Sequence, residues 1–128
     1  MTVQLNHTIV RCSDKWASAR FYADILGLDE PTSYGPFVVV RTGNGVELDF
    51  ADDHGEPQPQ HYAFLVSDGE FDAIHARIRE RGLTWWADPF HRLEGEVNHG
   101  DGGRGLYWDD PDAYSLEIIT VPYGGGTA

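Results

Sequence analysis

The chain is short of three things: cysteine, basic side chains and long apolar runs. Its one thiol, Cys12, forms no internal disulfide, so no disulfide framework holds the fold. Nine Lys and Arg stand against 21 Asp and Glu, for a formal net charge of −12. No basic cluster offsets that charge locally, which argues against nucleic acid and against an anionic membrane surface as partners. No apolar stretch approaches the ~20 residues that span a bilayer, and no charged-then-apolar leader opens the sequence. The expectation is a soluble, cytoplasmic protein. Its 128 residues, 41% hydrophobic and 12% aromatic, supply one packed domain, or two small subdomains sharing a core, and not a multidomain machine.

What is present is a repeat. His7-Thr-Ile-Val-Arg-Cys-Ser13-Asp14 and His61-Tyr-Ala-Phe-Leu-Val-Ser67-Asp68 each open an apolar run with His and close it on Ser-Asp. Behind the first, Trp16, Ala19, Ala23 and Leu26 recur at helical spacing up to Gly27; behind the second, Phe71, Ile74 and Ile78 do so up to Gly82. The spacing predicts a helix in each half, capped by the Ser hydroxyl, with Ser67-Asp-Gly-Glu70 as a capping box and glycine at the left-handed end. Strands follow in the first half at Phe37–Arg41 and Val46–Phe50 around a Thr42-Gly-Asn-Gly45 hairpin turn. In the second they fall at Thr84–Ala87, then, after a glycine-rich loop over 93–103, at Gly105–Asp109 and Tyr114–Val121 around Asp110-Pro-Asp-Ala113. Each half reads strand, helix, then two or three strands: a module at 1–52, a joint at 53–60, a second module at 61–123, and a frayed tail at 124–128.

Side chains alternate along a strand, so His7 shares a face with Leu5, Ile9 and Arg11, and His61 with Ala63 and Leu65. Glu47 and Asp49 share a face opposite Val46, Leu48 and Phe50, and Glu117 shares one with Ser115 and Ile119. Each half thus offers one His and one Glu from corresponding first and last strands. A pseudo-twofold pairing of the halves would turn two imidazoles and two carboxylates toward one cavity. Glu117, set in Ser-Leu-Glu-Ile-Ile-Thr-Val, carries a heavy desolvation cost unless a cation or a donor faces it. Two imidazoles with one or two carboxylates suit Zn²⁺, Ni²⁺, Co²⁺, Mn²⁺ or Fe²⁺; a two-His, one-carboxylate face with open positions suits Fe²⁺ oxygen chemistry. The ligand types do not choose among these ions. A single strand histidine is more often a hydrogen-bonded core residue, and it is the matched pair that argues for a metal.

These residues resemble the vicinal oxygen chelate superfamily of glyoxalase I, type I extradiol dioxygenases, and fosfomycin- and bleomycin-resistance proteins. Nearly the whole chain carries the likeness: Asn6-His7-Thr-Ile-Val-Arg11; Trp16-Ala-Ser-Ala-Arg-Phe-Tyr-Ala-Asp-Ile-Leu-Gly27-Leu28; Val46-Glu47-Leu48; Gln60-His61; and Asp110-Pro-Asp-Ala-Tyr-Ser-Leu-Glu117-Ile. The resemblance implies an α+β fold of two βαβββ modules. Their curved mixed sheet would surround a cavity with helices on the outer face, and a divalent metal there would chelate two substrate oxygens. His7, His61 and Glu117 match the three shared ligand positions, and Glu47 matches the fourth of glyoxalase I. It also implies a homodimer. Arg11 matches the glyoxalase position that meets a glutathione carboxylate, but Ala51 replaces an Asn and no second Arg precedes His61, which weighs against glutathione.

In the loop Asn98-His99-Gly-Asp-Gly-Gly-Arg104, His99 is a candidate general acid or base, with Tyr107 as an added proton donor and a displaceable Glu47 as the other. Arg104 could pair with a substrate carboxylate or with surface acids. Trp86 and Trp108, with Trp85 and Phe90, could line a substrate cavity, although strand aromatics are more often core. Asp49 is a weaker candidate for a residue that hydrogen-bonds a metal ligand. Cys12 packs as a small hydrophobe, and His54, His75 and His91 are read as surface. The expected function is a metal-dependent enzyme on a small oxygen-chelating substrate, with lyase or isomerase chemistry favoured. The alternatives are an Fe²⁺ ring-cleaving dioxygenase and a metal-free protein that sequesters a cationic drug.

Overall fold

The computed structural model describes residues 2–125. The chain divides between Gln58 and Pro59 into two compact units, each built from one copy of the repeat. In the first, β1 (His7–Cys12) leads into α1 (Lys15–Leu26), followed by β2 (Thr32–Tyr34), β3 (Phe37–Arg41) and β4 (Glu47–Asp52). The sheet order is β1-β4-β3-β2, with β1 parallel to β4 and the other pairs antiparallel. The β1–α1 opening gives the long crossover that a parallel neighbour needs, and the tight turn at Thr42–Gly45 suits an antiparallel one. Helix α1 is capped by Asp14, whose carboxylate accepts from the Ala17 N–H at 3.1 Å, one residue later than the serine expected. It ends at Gly27, in the left-handed region at φ 72°. Its apolar face, Ala19, Tyr22, Ala23 and Ile25, buries Val10, Val38, Leu48 and Phe50 of the sheet, with Tyr22 set edge-on to Phe50 at 4.8 Å. Such edge-on aromatic pairs contribute about 0.5–1.5 kcal/mol beyond area burial.

The second unit repeats the plan: β5 (His61–Leu65), α2 (Asp68–Glu80), β6 (Trp85–Trp86), a short 3-10 turn at Gly100–Gly102, β7 (Gly105–Asp109) and β8 (Ser115–Ile119). Its order is β5-β8-β7-β6, again with one parallel pair, β5 with β8. The capping box forms as expected: Ser67 Oγ accepts from Glu70 N–H at 3.1 Å, and Glu70 Oε1 from Ser67 N–H at 2.8 Å. Phe71, Ile74 and Ile78 of α2 bury Leu106, Trp108, Leu116 and Ile118. Two four-stranded mixed sheets, each with one helix, make the α+β class expected.

Several boundaries move. The strand expected at Val46–Phe50 runs Glu47–Asp52, the one at Tyr114–Val121 shortens to Ser115–Ile119, and Thr84–Ala87 shrinks to Trp85–Trp86. Edge strand β2 has all three residues exposed, so no apolar alternation announced it. Of the expected tail, residues 126–128 lie outside the described residues, whereas Gly124 donates its N–H to Asp101 Oδ2 at 3.3 Å. No helix among the described residues is long and apolar enough to cross a membrane.

Candidate functional site

The second unit holds the most demanding group in the molecule. Glu117 is 1% exposed, in the middle of β8. Cross-strand register places Ala63 and Tyr107 on either side of it, with Trp86 beyond, so the His61, Glu117, Tyr107 and Trp86 side chains share one sheet face. His61 Nδ1 lies 3.0 Å from the Ser115 carbonyl, and its Nε2 lies 3.1 Å from Glu117 Oε1. A carbonyl only accepts, so Nδ1 carries a proton, and in neutral imidazole Nε2 then has only a lone pair. A lone pair and a carboxylate oxygen would face one another, a contact relieved by a proton between them, carried by either partner, or by a cation shared by both. The donor set and its geometry fit a divalent ion on this pair.

Phenols complete the surroundings. Tyr123, past the end of β8, donates its hydroxyl to Glu117, 2.7 Å from Oε1 and 2.9 Å from Oε2. With that proton committed, Tyr107 is the donor in the 3.5 Å contact between the two hydroxyls. Burial, then hydrogen bonding to Tyr123 and Glu117, pushes the Tyr107 phenol well above its ordinary range, so it stays protonated. The hydrogen bond from Tyr107 is the largest influence on Tyr123 and lowers its pKa, but burial and the Glu117 carboxylate together outweigh it and leave the phenol raised. A cavity of about 300 Å³ opens beside these groups, lined by Glu117, Tyr107, Tyr123, Asn98, Asp101 and Arg104 among others. Gly103 is needed beneath it, because a Cβ there would sit 2.7 Å from Thr120 Oγ1 and Val121 Cγ2.

The first unit presents a looser version. His7 is exposed, with Nδ1 2.7 Å from Asn6 Oδ1. Glu47 lies opposite His7 in register, and it is paired with Arg41, its neighbour on β3. The backbone sets a correspondence that the sequence repeat does not. Glu47 N–H bonds to Asn6 O at 2.9 Å as Ser115 N–H bonds to Gln60 O at 3.0 Å, so Glu47 matches Ser115, and Asp49 matches Glu117. Asp49 is 7% exposed, its Oδ1 has no partner among the described residues, and burial raises its pKa against the pull of His7. Among the described residues no group of three or more His, Cys, Asp or Glu gathers as a metal set; each unit supplies a pair.

The other candidates fall in varied places. Trp108 is in the core at 1% exposure, under α2 rather than on the cavity side, because its register partner is Leu116 on the apolar face. The expectation that it lines a substrate cavity is corrected on that ground. Trp86 is half-buried and stacks flat on His91 at 3.6 Å, so His91 is not a free surface residue; its Nε2 also lies 3.5 Å from Asp109. His75, also read as surface, packs between Phe71 and Trp85. Arg104 is tied to Asp72 at 2.8 Å and Asp68 at 3.0 Å over the Phe71 ring, the acid-pairing alternative, and this raises its pKa further. His99 is exposed and outside the cavity lining, while its neighbours Asn98 and Gly100 lie in it. Arg11 is exposed and pairs with Asp53 at 3.7 Å. Cys12 is buried, its thiol donating to the Ala51 carbonyl at 3.4 Å.

The family model of the Glyoxalase/Bleomycin resistance protein/Dioxygenase superfamily matches residues 4–118, from before His7 to just past Glu117. The chain belongs to that superfamily, the vicinal oxygen chelate group. Two solved structures are similar along their whole length. "Oxidase ChaP-H2" is 63% identical over 99% of this chain and 100% of its own, at a TM-score of 0.96. "Oxidase ChaP-H1" is 64% identical over 97% and 100%, at 0.95. Among curated relatives, "Glutathione transferase FosA" of Serratia marcescens is 27% identical over 124 residues, 92% of this chain and 81% of that protein. Sequence reasoning missed Tyr123. It lies beyond Pro122, outside any strand periodicity, and only its distance after the Leu-Glu-Ile ending of the superfamily pattern could have flagged it.

Proposed function

We propose that the protein is a divalent-metal-dependent oxidase acting on a small molecule that offers oxygen atoms to the metal, and that it works in the cytoplasm as a homodimer. One observation carries the reading: His61 Nε2 lies 3.1 Å from the buried Glu117 carboxylate, with Nδ1 turned to the Ser115 carbonyl, beside a cavity. The near two-thirds identity to two oxidases supports oxidation over the lyase or isomerase chemistry favoured by the residues alone.

His61 and Glu117 would hold the ion, and His7, which matches the remaining ligand position of the family pattern, is the candidate for the second imidazole. An iron(II) ion with two imidazoles, one carboxylate and open positions supplies activation of dioxygen beside a chelated substrate. Glu47 is given no ligand role, since its charge is engaged by Arg41. Tyr107, kept protonated, lines the cavity and holds its proton until an acceptor of sufficient basicity develops, and a substrate oxygen that takes this hydrogen bond does so in place of the long contact to Tyr123. Arg104 adds no free positive charge, because Asp68 and Asp72 neutralise it, so the cavity favours neutral, hydroxyl-bearing molecules over anions.

The test is dioxygen uptake by protein reconstituted anaerobically with Fe²⁺ and then given small phenols and quinols. Substrate-stimulated uptake, absent in His61→Ala, is expected. Isomerisation of a 2-oxoaldehyde adduct without oxygen uptake would restore the lyase reading. Tight binding of a cationic aromatic drug by protein that takes up no metal would instead support sequestration.

A further inference from the structure

We propose that Tyr123 is a positioning residue for Glu117, its hydroxyl holding the carboxylate in the orientation that a metal needs. The inference rests on the reading of Glu117 as a metal ligand. Tyr123 is 69% exposed, so hydrophobic burial does not explain where its ring sits. Its hydroxyl nevertheless reaches both oxygens of a carboxylate that is 1% exposed, at 2.7 and 2.9 Å. The segment that carries it is built to make this reach. Pro122 has no N–H and cannot extend the β8 ladder, and Gly124 is anchored to Asp101 across the cavity rim. Residues 121, 123 and 101 all line the same cavity, so this short strap forms part of its wall.

A buried carboxylate with one imidazole in front of it is free to turn about its terminal bond. The Tyr123 hydrogen bond removes that freedom, and Tyr107, 3.5 Å behind, steadies the hydroxyl. Outer hydrogen bonds of this kind to a ligating side chain typically govern metal affinity by about 10- to 100-fold. Neither Tyr107 nor His61 substitutes for it, since Tyr123 alone contacts Glu117 Oε2 among the described hydrogen bonds.

Co²⁺ titration tests the role without any substrate, following the visible d–d bands and competing the metal away with a chromophoric chelator. Wild type, Tyr123→Phe and Glu117→Ala are run together, with thermal melts of each metal-free chain. Tyr123→Phe is expected to melt with wild type, to bind Co²⁺ about tenfold more weakly or worse, and to show shifted bands at saturation. Glu117→Ala is expected to take up no Co²⁺. If Tyr123→Phe binds as tightly as wild type, or more tightly, with unchanged bands, the positioning role is overturned and the metal reading stands. If Glu117→Ala binds like wild type, or wild type binds nothing, the metal reading fails and this inference falls with it.

Discussion

The two units present the same pair of chemical groups in opposite states. In the second, His61 and Glu117 are in contact, the carboxylate is almost wholly buried, and two tyrosines crowd it. In the first, His7 is exposed, bonded only to the adjacent Asn6, and Glu47 is held by Arg41. The strand order and the helix that crosses over are identical. What differs is the chain before the third strand and beyond the last: the second unit places residues 87–104 between β6 and β7 and continues past β8 to Tyr123, while the first joins β2 to β3 by the Gly35–Pro36 turn alone. Duplication thus places a buried carboxylate on the last strand of each unit, Asp49 and Glu117, and the segments around it decide whether an imidazole and a phenol reach it.

The strongest way to break this comparison is to neutralise each glutamate in turn. Glu117→Gln should weaken metal binding on the order of a hundredfold or more, while Glu47→Gln should change it by less than about threefold. Chelator competition measures both, and equal losses would show that the units share the load. Arg41→Met makes the first unit more like the second by releasing Glu47. An exposed ion pair is worth roughly 0–1 kcal/mol, so metal affinity should stay within about fivefold of wild type, and a larger fall would mean that Arg41 supports the site.

The turns leading into the last strands sharpen the contrast on the stability side. Gly45 sits at φ 84° before β4 and Ala113 at φ 63° before β8, both in the left-handed region that a Cβ disfavours. Ala113→Gly should raise stability by about 1 kcal/mol and Gly45→Ala should lower it by about as much. Thermal melts of metal-free protein read this as opposite shifts of a few degrees. The smallest effect concerns α2, where His75 lies between Phe71 and Trp85. Burial first, then Arg79 and Arg104, lowers its pKa below the ordinary 6.5. As pH falls through 6.5 the unfolded chain takes up the proton before the folded one, so stability is lost toward acid pH. His75→Leu should flatten the loss of stability between about pH 7 and pH 5, visible in urea melts followed by Trp fluorescence; an identical pH slope would contradict it.

Much of this was legible in the sequence, because the signals were local and periodic. Helical spacing behind Ser13 and Ser67, the capping box, and the β3 and β7 strands needed only neighbours in the chain. The residues that were not legible depend on partners far away in sequence. Trp86 and Trp108 lie on the neighbouring strands β6 and β7 but on opposite faces, and only cross-strand register, Trp86 with Tyr107 and Trp108 with Leu116, sent one to the core and left the other half-exposed. The matched Val-Glu-Leu and Leu-Glu-Ile motifs suggested that Glu47 answers Glu117, whereas the hydrogen-bond register pairs Asp49 with it, a two-residue offset that no single-strand pattern carries. Tyr123 acts through one hydroxyl from outside any regular element, so no periodicity pointed to it.

The central claim is that the His61–Glu117 pair binds a divalent metal. Its most direct test is the metal-to-protein ratio, by elemental mass spectrometry, of protein purified without tag or chelator. Wild type, His7→Ala, His61→Ala and Glu117→Ala are compared after Fe²⁺ reconstitution and desalting. The account predicts near-stoichiometric iron in wild type and its loss in all three variants. Wild-type occupancy retained by His61→Ala or Glu117→Ala would contradict it.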